Sequence, residues 1–328
     1  MPINPQAKLV KKLFDPQIKQ IPTRNGFGEG LVEAGKLDEN VVVLCADLSE
    51  STRTYLFKEA FPDRFVQFGV QEQLLTAAGA GMSFAGKVPF IASYATFCPG
   101  RSWEQVRTTI ALSQANVKIA GAHAGVSVGP DGATHQMTED IAIMRVLPNM
   151  TVLVPCDAEE TRKATMAAAK MRGPVYLRFT REKSPVFTTK KTPFKIGKAE
   201  IFRDGKDVAI IGCGPLLYEC LKAAEELKKN KIEATVVNCH TIKPIDAETI
   251  KQVAAKTGAV VTVEEHQVTG GLGGAVSEVL CDCCPRPFER VGIQDRFGES
   301  GQPSEIFEHF ELTSPHIVKA VQRVLKKK

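Results

Sequence analysis

Two stretches carry residue types at spacings that suit chemistry. The run HAGVSVGPDGATHQ, residues 123–136, sets His123, Asp131 and His135 among three glycines, just after an apolar, strand-like segment. Two imidazoles and a carboxylate in one loop can donate, accept and transfer protons at the oxygens of a polar ligand. Loops at the carboxyl ends of parallel strands are also where α/β proteins bind ligands. The second stretch is RFVQFGVQEQLLTAAGAG, residues 64–81, in which Glu72 stands where a strand-like run gives way to small and apolar helix formers. A helix N-terminus favours an anion, so on the residues alone Glu72 reads as a helix-capping acid.

Other motifs are weaker. GCGP (212–215) and TGGLGG (269–274) each follow a strand-like run and open a helix-like one, but neither has the spacing of a phosphate loop. They read as tight strand-to-helix turns. Cys281 and Cys284 form a C-x-x-C in CDCCPRP, with no second ligand pair at zinc spacing, so the run reads as the end of a helix before a proline.

These residues need a scaffold, and the hydrophobic pattern supplies one. Strands are expected at 41–47, 65–70, 88–94, 117–123, 151–157 and 175–179, with helices at 26–36, after Glu72, near 102–113, near 137–146 and at 158–171. The polar, basic, proline-containing stretch from Arg181 to Phe202 breaks this rhythm. Strands at 207–214, 234–240, 259–266 and 288–293 then alternate with helices, the last near 315–327. The expectation is an α/β fold with a mostly parallel sheet and helices on both faces, followed by a smaller α/β domain. The expected division is 20–185, a linker over 186–200, and 201–328.

The composition agrees with a soluble globular chain: 328 residues, 43% apolar and 24% charged. No apolar run reaches the ~18–20 residues that cross a bilayer, so no membrane partner is expected. The first twenty residues lack a secretory-signal pattern, and the nine cysteines show no disulfide spacing, which together predict a cytoplasmic location. The net charge of +5 is spread over dispersed lysines without interleaved aromatics, so no nucleic-acid surface is expected.

The motifs taken in order resemble a known family. VQFGVQEQLLTAAGAGMSFAG, YATF, GVSVGPDGATHQ and LPNMTVLVPCDAEE are similar to the pyrimidine-binding domain of transketolase. IKPID, VEEH with GGLGG, and QDRFGESG resemble the C-terminal domain of the same thiamine-diphosphate superfamily. The resemblance runs from about Thr23 to the end of the chain. It implies that Glu72 hydrogen-bonds the aminopyrimidine ring of thiamine diphosphate and activates it, that Phe97 stacks on that ring, and that Asp47 lies near the thiazolium. Trp103 is a candidate for lining the same pocket. Arg24, Ser51, His123 and Arg181 match the family's sugar-phosphate contacts, and arginine suits phosphate through its forked, charge-assisted donors. Asp131 and His135 match residues near the sugar hydroxyls and the reacting carbonyl. The catalytic set so implied is Glu72, His123 and His135.

The family's G-D-G motif with a downstream Asn, which grips the diphosphate through a metal, is missing, and Glu264 and Glu265 do not replace it. The resemblance therefore implies the C-terminal subunit of a split transketolase. A separate diphosphate-binding subunit would hold Mg2+ or Ca2+, two copies of each chain would assemble, and a two-carbon ketol unit would pass from a ketose phosphate to an aldose phosphate. Pentose phosphates are the default substrates. Three alternatives share the layout: the beta subunit of a 2-oxoacid dehydrogenase, a deoxyxylulose-phosphate-synthase-like enzyme, and a regulatory chain without activity.

Overall fold

The computed structural model describes residues 3–328. A seven-stranded sheet runs in the order Thr241–Lys243, Thr151–Leu153, Val175–Arg178, Lys118–Ala122, Val88–Tyr94, Val41–Cys45, Phe65–Gln67. All its pairings are parallel except the antiparallel one made by Thr241–Lys243. The strand Val41–Cys45 is buried along its whole length, as a strand covered by helices on both faces must be. A five-stranded sheet follows, in the order Phe288–Ile293, Val260–Gln267, Val208–Gly212, Ala234–Asn238, Glu200–Arg203. Here only Glu200–Arg203 is antiparallel. The expected α/β class is borne out. No described helix is long and apolar enough to cross a membrane.

Several strands end earlier than their apolar runs. They stop at Cys45, Gln67, Ala122 and Leu153, and the next residues turn out of the sheet. Asp47 and His123 do so with φ of 58° and 54°, a left-handed backbone uncommon outside glycine. Among the elements with no counterpart in the sequence expectation, which include Gln20–Pro22, Tyr55–Ala60 and Glu200–Arg203, two bring the halves of the chain together. Thr241–Lys243 leaves the second half of the chain to pair with Thr151–Leu153 of the first sheet, and helix Pro303–His309 packs near the loop that follows Ala122. The helix expected near 102–113 is present, but most of it, Val106–Leu112, has the wider π form.

The helix Ala158–Lys170 shows how the two sheets are tied. Asp157 caps it, with Oδ1 accepting from the Glu160 N–H at 2.9 Å, while Oδ2 accepts from the Phe187 and Thr188 N–H groups at 2.9 and 2.7 Å. The connecting segment is thus held down, and Phe187 is buried in the second core. Glu160 accepts from the Cys156 N–H and from Asn238 Nδ2, both at 2.7 Å, which links the first sheet's edge to a strand of the second. Burial, and then the neighbouring Asp157 charge, push the Glu160 carboxyl up to about 7.

A carboxyl raised above its unfolded value makes the folded state bind the extra proton, so its contribution is best at and below about pH 4.5 and is lost as pH rises through 7. Glu160→Gln is therefore expected to flatten this dependence, by about 1–3 kcal/mol between pH 5 and pH 8. Asn238 Oδ1 has no partner, so a flipped Asn238 amide could accept from the new side-chain NH2. Urea unfolding at the two pH values is the check; an unchanged difference would take Glu160 out of the pH response.

Candidate functional site

Glu72 is the first residue of helix Glu72–Phe84 and is 1% exposed. Its Oε1 accepts from Ser93 Oγ at 3.1 Å, and its Oε2 from Arg101 at 3.3 Å. Two donors leave spare lone pairs on a carboxylate that can accept about four hydrogen bonds, so the group can still take a ligand's N–H. Phe97, half-buried, is next in the same construction. Its ring carries the Arg101 guanidinium 5.0 Å from the centroid and lies 6.0 Å from Tyr94, nearly parallel to it. A carboxylate with free lone pairs beside an accessible aromatic face fits an amino-substituted heterocycle.

Tyr94 joins this end to the second. Its ring stacks on His123 at 3.9 Å, and His135 sits edge-on to Phe97 at 5.4 Å and to Tyr94 at 6.1 Å. His123 is 1% exposed, and its Nδ1 has no partner. Burial, then the charges of Arg24 and Arg181, push its imidazole down to about 3. His123 is thus a neutral hydrogen-bonding group at physiological pH, not a cation. Arg24 donates to the Ser51 carbonyl at 3.0 Å and has a buried Nε without a partner. Arg181 donates to Asp131 Oδ1 at 3.0 Å and to the Val128 carbonyl at 3.3 Å. The His135 Nδ1 meets Thr134 Oγ1 at 3.0 Å.

The structure thus gathers Glu72, Phe97, His123, His135, Asp131, Arg24, Ser51 and Arg181 beyond the carboxyl edge of the first sheet, with the aromatic contacts and the arginine pairs as links. Asp47 lies at the same edge, exposed, and exchanges hydrogen bonds with Gln67 at 3.1 Å in both directions. Trp103 is not joined to the cluster by any ring contact or hydrogen bond among the described residues; its indole N–H donates to the Ile143 carbonyl at 3.0 Å. Sequence reasoning missed Ser93, Tyr94 and Arg101, which hold Glu72 and the rings. Tyr94 had a signal, being part of YATF; Arg101 lies 29 residues from Glu72, and no local pattern connects them.

The glycine turns behave as plain turns. The amides at the start of helix Leu272–Cys283 are spent on Glu264, which accepts from the Leu272 and Gly273 N–H groups at 2.6 and 2.7 Å. In GCGP the Cys213 and Gly214 N–H groups bond the Val263 and Val154 carbonyls. Cys283 ends helix Leu272–Cys283, with its sulfur 3.0 Å from that of Cys284.

Comparison with known proteins then gives the context. A family model of the transketolase pyrimidine-binding domain matches residues 19–186, and one of the transketolase C-terminal domain matches residues 197–317. A putative transketolase C-terminal section of Methanocaldococcus jannaschii is 45% identical over 307 residues, covering 93% of this chain and 96% of that protein. The 6-deoxy-6-sulfo-D-fructose transketolase subunit of Clostridium sp. (strain MSTE9) is 38% identical over 315 residues, covering 96% and 98%. A solved split-gene transketolase, described as an inactive beta4 tetramer, superposes with a TM-score of 0.88 at 45% identity, covering 93% of this chain and 99% of that one.

Proposed function

We propose that this chain, which belongs to the transketolase family as one of its split subunits, transfers a two-carbon ketol unit from a ketose phosphate to an aldose phosphate when joined to a diphosphate-binding partner. The observation that carries the reading is the two-ended cluster: the Glu72 carboxylate with the Phe97 ring at one end, and Arg24, Arg181 and the neutral His123 at the other, bridged by Tyr94. Thiamine diphosphate, when bound, would supply the nucleophilic carbon that carries the two-carbon unit.

Glu72 would share a proton with a nitrogen of the pyrimidine, and Phe97 would cover that ring's face. Asp47 would lie toward the thiazolium end; Trp103 would support the wall from its anchor on Ile143. Arg24 and Arg181, with the Ser51 hydroxyl, would grip the terminal phosphate through charge-assisted bonds. A neutral His123 can offer both a donor and an acceptor to a substrate oxygen. His135 and Asp131 would contact the hydroxyls and the reacting carbonyl, with His135 placed to move a proton there.

The diphosphate and its Mg2+ or Ca2+ would rest on the partner. The surface that supports this lies on the helix of Glu72 itself. Leu74 and Phe84 are 51% and 65% exposed, and Val70, just ahead of the helix, is 66% exposed. On the helix, Leu74, the exposed Ala77 and Gly81, and Phe84 form an apolar seam at steps of three and four, the spacing of helix-to-helix packing. Two copies of each chain would bury that seam and close the cofactor site from the same side. A cytoplasmic location fits the nine free cysteines.

The test uses the native complex. The tagged chain is purified from its host with whatever binds it, supplied with thiamine diphosphate and magnesium, and offered xylulose 5-phosphate with ribose 5-phosphate, or a 2-oxo acid. Release of glyceraldehyde phosphate supports the reading. Consumption of the 2-oxo acid alone would place the chain with the decarboxylating relatives. A ketose ending in a sulfonate is a useful third donor, since its charged oxygens would meet the same two arginines.

A further inference from the structure

The reading above leaves the five-stranded domain without a task. The loop that carries Asp131 and His135 is closed at its base by the Ala124–Met137 bridge, with the Gly125 N–H donating to the Met137 carbonyl at 2.7 Å. Above that base the loop is bent by Gly125, Gly129 and Gly132, with φ of 87°, 76° and 73°. A loop with three such glycines has little stiffness of its own. Its rigidity must come from what it touches, and much of that belongs to the second domain.

The contacts are close. The Ser127 N–H donates to Glu265 Oε1 at 2.6 Å. Gln136, 4% exposed, directs the two hydrogens of its side-chain NH2 at three carbonyls, those of Val126 and Gly129 at 3.1 Å and that of Glu299 at 2.9 Å, so one hydrogen is shared. One amide thus staples two points of the loop to a third point in the other domain. Facing surfaces are shaved to backbone: a Cβ on Gly298 would lie 1.7 Å from Gln136 Oε1, one on Gly132 2.4 Å from Ser300 Oγ, and one on Gly129 3.1 Å from the Gly301 carbonyl. The opposing segment is itself braced, since Arg296 donates to the His309 carbonyl at 2.8 Å and His309 meets Glu299 Oε1 at 3.0 Å.

We propose that the second domain's segment Gly298–Pro303 is the wall that positions His135 and Asp131, and that Gln136 is the positioning residue through which it acts. The proposal rests on the assignment of His135 and Asp131 to the substrate. It gives the C-terminal domain a role in substrate affinity without any contact with substrate. Side chains in 298–303 would tune the site from behind.

Gly298→Ala tests it. The added methyl meets the end of a side chain, so Gln136 can swing away and the fold can survive. Gln136→Met, similar in volume but without the amide donors, is the second variant and decides the matter should the first not fold. Hydrogen exchange of the free chain is expected to quicken about tenfold at amides 126–135 and not in the strands, because the loop opens locally. In the assembled enzyme KM for xylulose 5-phosphate is expected to rise about tenfold, with a smaller loss in kcat, since small misplacements of positioning groups are costly. A folded variant with unchanged loop exchange and unchanged KM overturns the proposal. So does exchange that quickens equally throughout the chain, which would mark Gln136 as general packing. The exchange arm reads the clamp even when the wild-type complex transfers no ketol unit, so the two readings fail separately.

Discussion

Glu72→Ala is expected to lower the turnover of the assembled enzyme about 10³-fold, within the range for removing a positioned acid–base group, while the chain stays folded. The carboxylate is buried, yet its two partners tolerate its loss unequally. Arg101 is 51% exposed and returns to water. Ser93 is fully buried and loses its acceptor, a cost of about 1–3 kcal/mol. That is a minor part of the ~5–15 kcal/mol typical of a folded domain. Glu72→Gln separates packing from chemistry. It fills the same space and can still accept from Ser93, but an amide cannot share a carboxyl proton. Both variants are expected to lose turnover, with the glutamine variant melting closer to wild type. The kcat of the reconstituted complex beside a thermal melt of the chain decides it. Unchanged turnover would remove Glu72 from the chemistry.

Arg181→Ala is expected to raise KM for phosphorylated sugars about 10–100-fold, the worth of one charge-assisted bond, and to do much less to an unphosphorylated acceptor. The pairing in the structure strengthens the expectation. Arg181 holds Asp131 at 3.0 Å, so its removal takes away a donor and also leaves a carboxylate without its cation near the incoming phosphate. Arg24 remains, 3.0 Å from the Ser51 carbonyl, so binding weakens without vanishing. Measuring KM for ribose 5-phosphate and for an unphosphorylated aldose in the same variant gives the ratio that matters. Equal effects on both would mean that Arg181 holds the loop and does not meet phosphate.

Much of the fold was legible because burial on both faces of a parallel sheet demands long apolar runs such as VVVLC and VPFIASY, which few other contexts produce. The strand ends were not legible. Asp47 and His123 directly follow the apolar runs in sequence but leave the strands in conformation, and the left-handed turn that releases them depends on what the loop packs against. The exchange of Thr241–Lys243 between halves was equally hidden, since three residues carry no periodicity that assigns them to one sheet.

By itself the sequence determined the identities and order of the groups: a carboxylate opening an apolar helix, an aromatic after the third strand-like run, two histidines and an aspartate in a glycine loop, and arginines at both ends of the first domain. Such order is a property of the chain and survives in one dimension. Only the tertiary structure decided how those groups are charged and held. His123 is neutral because a dry pocket encloses it and two guanidiniums, from positions 24 and 181, stand near it. Glu72 is held by Arg101 and Ser93 across the sheet edge, and the His135 loop is stapled by a carbonyl at position 299. Electrostatic environment and rigidity depend on distances between residues far apart in the chain, and folding alone sets those distances.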